Sequence, residues 1–168
     1  MSFSLHPEID CDALQLVYAR QGWVAISPFL PDEQAQELCD YLLGRTDWRA
    51  RLRDLDGRLF EPSPEELDEW GPQKAAGIRT LIAPRLGQKG FGYVHTRLRI
   101  IDQEGRRVEG PSLLAEFGEF LCSEEVLSLA RTITGESAIN FADSFAARYD
   151  PGDYTTSHDD GVGNRKAA

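Results

Sequence analysis

Lysine and arginine are in short supply in this chain: 18 against 28 Asp and Glu in 168 residues, for a formal net charge of -10 and a pI near 4.7. Proteins that grip a phosphate backbone carry a basic footprint, so a nucleic-acid partner is not expected. Cysteine is scarce as well. Cys11, Cys39 and Cys122 are widely spaced, odd in number and form no C-x-x-C. That excludes a disulfide framework and points to reduced thiols in a cytosol-like, cytoplasmic setting. No apolar run approaches the ~20 residues that span a bilayer, so no membrane partner is expected. Residues 1–12 contain neither Lys nor Arg nor the apolar centre of a signal peptide. Missing too are a G-x-S-x-G elbow, a Walker A loop and a G-x-G-x-x-G fingerprint.

What is present fits one ordinary globular domain, 41% apolar and 27% charged. The apolar spacing predicts a helix from Cys11 to Arg20 closed by Gly22, then a short strand over Trp23–Ile26. Pro31, Asp32 and Glu33 suit the start of a second helix, striped by Ala35, Leu38, Cys39, Leu42 and Leu43 and ended by Gly44. Residues 45–58 read as polar and turn-rich, with Trp48 as a buried anchor. Ser63-Pro64-Glu65-Glu66 is a capping box that starts a short helix stopping before Gly71-Pro72. Ile78–Ala83 and Tyr93–Ile101 read as strands around a loop at 84–90, and a turn at 102–105 leads to strand-like Arg107-Val108. Two further helices follow, one through Leu113, Leu114, Phe117, Phe120 and Leu121, the next capped by Ser123 and ending at Gly135. Ile139, Phe141, Phe145, Ala147 and Tyr149 alternate as the chain's best strand. Helix and strand do not alternate regularly, which favours α+β over a doubly wound parallel sheet.

That last strand leads through Pro151-Gly152 to Tyr154-Thr155-Thr156-Ser157-His158-Asp159-Asp160. In extended chain, residues i and i+2 project to one side, so His158 and Asp160 can meet one metal ion. An imidazole and a carboxylate are two thirds of the 2-His-1-carboxylate set that holds Fe(II). The competing reading is a solvated polar turn before Gly161. Zinc would also need a third ligand. A calcium EF-hand does not fit, because its loop ends in Glu and none follows Glu136. His6 falls in a frayed N-terminus, and His95 reads as an ordinary structural or surface histidine in mid-strand.

The run F-A-A-R-Y-D-P-G-D-Y-T-T-S-H-D-D-G-V-G-N-R-K-A-A from Phe145 to Ala168 resembles the prolyl-hydroxylase-type 2-oxoglutarate/Fe(II) dioxygenases. Their pattern is a tyrosine, a Pro-Gly-like turn, H-x-D and then an arginine opening the next strand. Gly22–Ile26 with Phe29-Leu30-Pro31, and the helix ending at Leu129–Gly135, are similar to the family's upstream elements. The resemblance implies a double-stranded β-helix (jelly-roll) core with N-terminal supporting helices. As one domain over 1–168, the helical support would cover about 1–135 and the start of the jelly roll about 139–168.

It further implies Fe(II), 2-oxoglutarate and O2 as cofactor and co-substrates, with ascorbate as a supporting reductant. His158 and Asp160 match the first two metal ligands, Tyr149 a tyrosine that contacts 2-oxoglutarate, and Arg165 a basic residue on the substrate side. The implied reaction hydroxylates a C–H bond of a prolyl residue or amino acid, in a small-molecule or peptidyl substrate. The family's distal histidine and its 2-oxoglutarate-pairing basic residue lie several dozen residues beyond H-x-D. The chain therefore reads as the N-terminal part of such a domain, truncated at the C-terminus and inactive alone. The alternative is a non-catalytic jelly-roll binding or scaffold domain that keeps a vestigial metal motif. From the residues alone, Tyr149 could equally be a core tyrosine in phase with Phe145.

Overall fold

The computed structural model describes residues 3–83, 90–108 and 110–158. In chain order the elements are α1 (Cys11–Gln21), α2 (Asp32–Gly44), β1 (Arg49–Arg53), β2 (Leu59–Phe60), α3 (Pro64–Ile82), β3 (Tyr93–Ile101), α4 (Leu113–Leu121), α5 (Glu124–Thr134), β4 (Ser144–Arg148) and β5 (Tyr154–Thr155). The class is α+β. They form two compact units. One contains the described residues up to Arg45 together with Arg99–Ser144; the other contains Thr46–Leu98 and the described residues from Phe145 onward.

The first unit is helical, and its helix ends follow local chemistry. Asp10 caps α1 by accepting the Ala13 N–H at 3.0 Å, and Gly22 ends it in the left-handed conformation, φ 77°. Ser112 and Ser123 cap α4 and α5 in the same way, and Gly135 (φ 74°) ends α5. Leu114 and Ala115 of α4 and Leu127, Leu129 and Ile133 of α5 are buried, as are Ile100 and Ile101 at the end of β3. Each such leucine or isoleucine contributes roughly 1.5–3 kcal/mol by leaving water. Gly118 allows α4 to lie close on Ile100 of the same unit, because a Cβ there would run into the Ile100 side chain.

The second unit is a sheet of order β2-β1-β3-β4, with β5 also paired to β3. β1 runs antiparallel to β3, with Arg51 opposite His95, Leu52 opposite Val94 and Arg53 opposite Tyr93. The pleat therefore sorts side chains onto two faces. Leu52 and Val94 join Ile82 of α3 in a buried cluster, flanked by Ala50, Ile78 and Tyr154. The Tyr154 hydroxyl donates to the Ile82 carbonyl at 2.6 Å, which ties β5 to the helix. The opposite face carries Arg49, Arg51, Arg53, Tyr93, His95 and Arg97.

Several expectations are corrected. Arg49–Arg53 lies in the stretch read as polar turn, yet it is a strand. Its Arg-Ala-Arg-Leu-Arg alternation presents charge on one face and small or apolar side chains on the other. Ile78–Ala83 is not a strand. Gly71 (φ 64°) breaks the helix and Pro72 restarts it through Ile82, which places Ile78 and Ile82 one turn apart over the sheet. Trp23–Ile26 is not a strand and forms no ladder among the described residues, since suitable composition makes none without a neighbouring edge. The strand expected from Ile139 begins only at Ser144, and β3 is longer. Trp48 is partly rather than fully buried, with the Arg148 guanidinium 5.3 Å from its ring centroid. The capping box at Ser63 is formed, with Glu66 Oε2 accepting the Ser63 N–H at 2.7 Å. The expected loop at 84–90 falls, except for Gly90, outside the described residues.

Candidate functional site

His158 is held by three successive constraints. Gly152 (φ 92°) makes the tight turn after β4, and the Asp153 N–H donates to the Asp150 carbonyl at 2.9 Å across it. Asp153 then turns its carboxylate inward, fully buried, onto Arg79 of α3. Beyond β5, Thr156 is clamped to Gly92 from both sides: its N–H donates to the Gly92 carbonyl at 2.9 Å, and its hydroxyl accepts the Gly92 N–H at 2.9 Å. The chain therefore reaches His158 with its backbone fixed.

The imidazole itself is oriented. It stacks on Phe91, ring centroids 4.2 Å apart and planes 23° off parallel, and its Nδ1 lies 2.9 Å from the Thr156 carbonyl oxygen. A carbonyl only accepts, so Nδ1–H is the donor in this contact. Metal-ligating histidines characteristically donate their second ring N–H to a carbonyl or carboxylate, which fixes the tautomer and ring direction. Asp160 and Arg165 lie outside the described residues. Among the described residues no three His, Cys, Asp or Glu side chains converge.

Tyr149 extends from the end of β4 with its hydroxyl 2.8 Å from that of Thr155. It is 52% exposed, so it is not the core tyrosine that its phase allowed. Its ring lies 5.4 Å from that of His95, which also packs on Tyr93 at 4.9 Å and lies nearly parallel to Phe145 at 6.0 Å. His95 was read from sequence as structural or surface. It is buried, and both ring nitrogens lack hydrogen-bond partners among the described residues. An unsatisfied buried polar group costs about 1–3 kcal/mol. Its pKa is pushed below the ordinary histidine range, first by burial and then by the Arg51 guanidinium, with Asp153 pulling the other way.

A neutral, unsatisfied His95 gives a testable sign. The unfolded chain takes up a proton near the ordinary pKa of about 6.5, whereas the folded chain does so only at lower pH. Proton binding therefore favours the unfolded state as pH falls from about 6.5 toward the lowered folded value. His95→Phe, of similar ring shape and without polar atoms, is expected to equal or exceed wild-type stability at pH 7 by up to about 1 kcal/mol. It should also lose part of the acid-induced drop in Tm between pH 7 and 5. Thermal melts at both pH values check this, and a variant less stable at pH 7 with an unchanged acid response would refute it.

Around these rings stands a row of arginines. Arg51 Nε donates to the Tyr93 hydroxyl at 2.8 Å. Arg53 donates to the Phe91 carbonyl at 2.7 Å and lies over the Phe91 ring at 4.9 Å. Arg97 sits 5.9 Å from the Phe145 ring centroid. Glu61 pairs with both Arg51 and Arg97. Sequence reasoning missed this row, although the R-x-R-x-R spacing at 49–53 was the signal.

No protein-family model, curated protein or solved structure matches the chain. Among the described residues no helix is long and apolar enough to cross a membrane.

Proposed function

We propose that this chain belongs to an Fe(II)- and 2-oxoglutarate-dependent dioxygenase of jelly-roll type that hydroxylates a C–H bond of a prolyl residue or amino acid. The observation that carries the reading is the Nδ1–H of His158 donated to the Thr156 carbonyl, with the ring laid flat on Phe91. Ligating histidines characteristically donate their second ring N–H in this way. His158 and Asp160 would hold the metal, which when bound supplies the activation of O2 and 2-oxoglutarate that no side chain can provide. The chain's own part is to orient. The Gly92–Thr156 clamp fixes the ligand strand, the Asp153–Arg79 pair fixes the turn before it, and Tyr149 presents a hydroxyl to the co-substrate from an exposed position beside His95. Arg165 is assigned to the substrate side.

The test is succinate release by the intact protein supplied with Fe(II), ascorbate, 2-oxoglutarate and prolyl substrates. Tyr149→Phe should raise the 2-oxoglutarate KM severalfold with Tm nearly unchanged, since it removes one exposed hydroxyl contact worth about 0.5–1.5 kcal/mol. A large fall in Tm with an unchanged KM would make Tyr149 structural. Absence of metal binding and turnover in the intact protein would favour the non-catalytic scaffold.

A further inference from the structure

We infer that the arginine–aromatic face of the sheet recognises carboxylates of an extended acidic peptide, which is the substrate class of the site proposed above and rests on that reading. Arg49, Arg51 and Arg53 alternate along β1, and Arg97 stands opposite Arg49 on β3. Four guanidinium groups thus share one face of a chain whose net charge is -10, and Glu61 pairs with two of them, Arg51 and Arg97. Such a local reversal of sign concentrates anions.

The row is also preorganised. Arg51 lies 6.0 Å from the Tyr93 ring centroid, Arg53 4.9 Å from that of Phe91 and Arg97 5.9 Å from that of Phe145. The planar forks are held in place for carboxylates, and little side-chain freedom remains to be lost on binding. The aromatic part of this face is partly open, with Phe145 44% and Tyr149 52% exposed.

Two features favour a peptide over a free acid. Alternate residues of β1 are spaced by about 6.6–6.8 Å, which is also the spacing of alternate side chains in an extended peptide. Acidic residues at i and i+2 can therefore meet Arg51 and Arg53 together. The second feature is Phe91, which carries Arg53 and the imidazole of His158 within contact of the same ring. A peptide registered on the arginines would run past His158. Glu61 then acts as a resident competitor that an incoming carboxylate displaces from Arg51 and Arg97.

The experiment is peptide binding to the intact protein without metal or 2-oxoglutarate, by fluorescence anisotropy at low and high salt. The probes are a proline-containing peptide with Glu at alternate positions, the same peptide with Gln, and free glutamate. The Glu peptide should bind at least tenfold tighter than the Gln peptide at low salt, with the gap closing as salt rises. Arg51→Gln/Arg53→Gln should remove the preference, whereas Glu61→Gln should strengthen Glu-peptide binding severalfold, a gain that unfolding cannot mimic. Equal affinity for the two peptides, or no gain in Glu61→Gln, overturns the inference; so does free glutamate binding as tightly as the peptide. Because no turnover is read, binding as expected in a protein that releases no succinate would sink the dioxygenase reading alone. Turnover without charge preference would sink only this one.

Discussion

Replacing His158 with alanine should abolish tight Fe(II) or Mn(II) binding by the intact protein while leaving its fold in place. Loss of a partner that merely orients a ligand costs about 10–100-fold in metal affinity, so loss of the ligand itself is expected to cost at least about 100-fold. Stability should change by less than about 1 kcal/mol, because His158 is exposed. Isothermal titration with Mn(II) and a thermal melt together check both halves. Wild-type affinity in His158→Ala would remove this histidine from the metal site. A collapse of Tm would mean that the imidazole is part of the packing instead.

The H-x-D pair could be proposed from sequence because i and i+2 geometry is a property of any extended chain; of the pair, His158 lies among the described residues and Asp160 outside them. Helix ends were legible for the same reason. Gly22, Gly135, Ser63 and Ser123 act on backbone groups within a turn of themselves, so their meaning is local. The rest depended on partners distant in sequence. Arg49–Arg53 looks like loop until β3 supplies its pairing edge and α3 covers Leu52. Ile78 and Ile82 have the β-branched composition of a strand, yet Pro72 restarts a helix before them and the apolar sheet face rewards a helical spacing. His95 is the clearest case. Nothing in Tyr-Val-His-Thr announces burial, which arises when Tyr93, Phe145 and Tyr149 close around it. Among the described residues, five helices and a small antiparallel sheet display the α+β class.

The second large effect is expected at Arg79, which lies 74 residues from its partner Asp153. The Asp153 side chain is fully buried whereas that of Arg79 is 43% exposed, so most of the desolvation falls on the carboxylate. Arg79→Ala would leave that charge buried without its cation. Breaking a buried pair on one side costs about 3–5 kcal/mol, and the exposure of Arg79 places the expected loss at the low end, about 3 kcal/mol. In a chain of this size that is roughly 6–12 °C in Tm.

Asp153→Asn in the same background removes the stranded charge and keeps an oxygen that can accept the Asp150 N–H, now bound at 3.0 Å. The double variant should therefore recover much of the loss, and the coupling read from the full cycle measures the pair. Metal affinity should follow the same order, because the turn closed by Asp153 sets the entry of β5 and, through Thr156, the position of His158. If Arg79→Ala melts within about 1 °C of wild type, the carboxylate is solvated and the turn is not anchored through α3. If the double variant regains stability but not Mn(II) affinity, the ion pair itself, rather than the turn it closes, is what places His158.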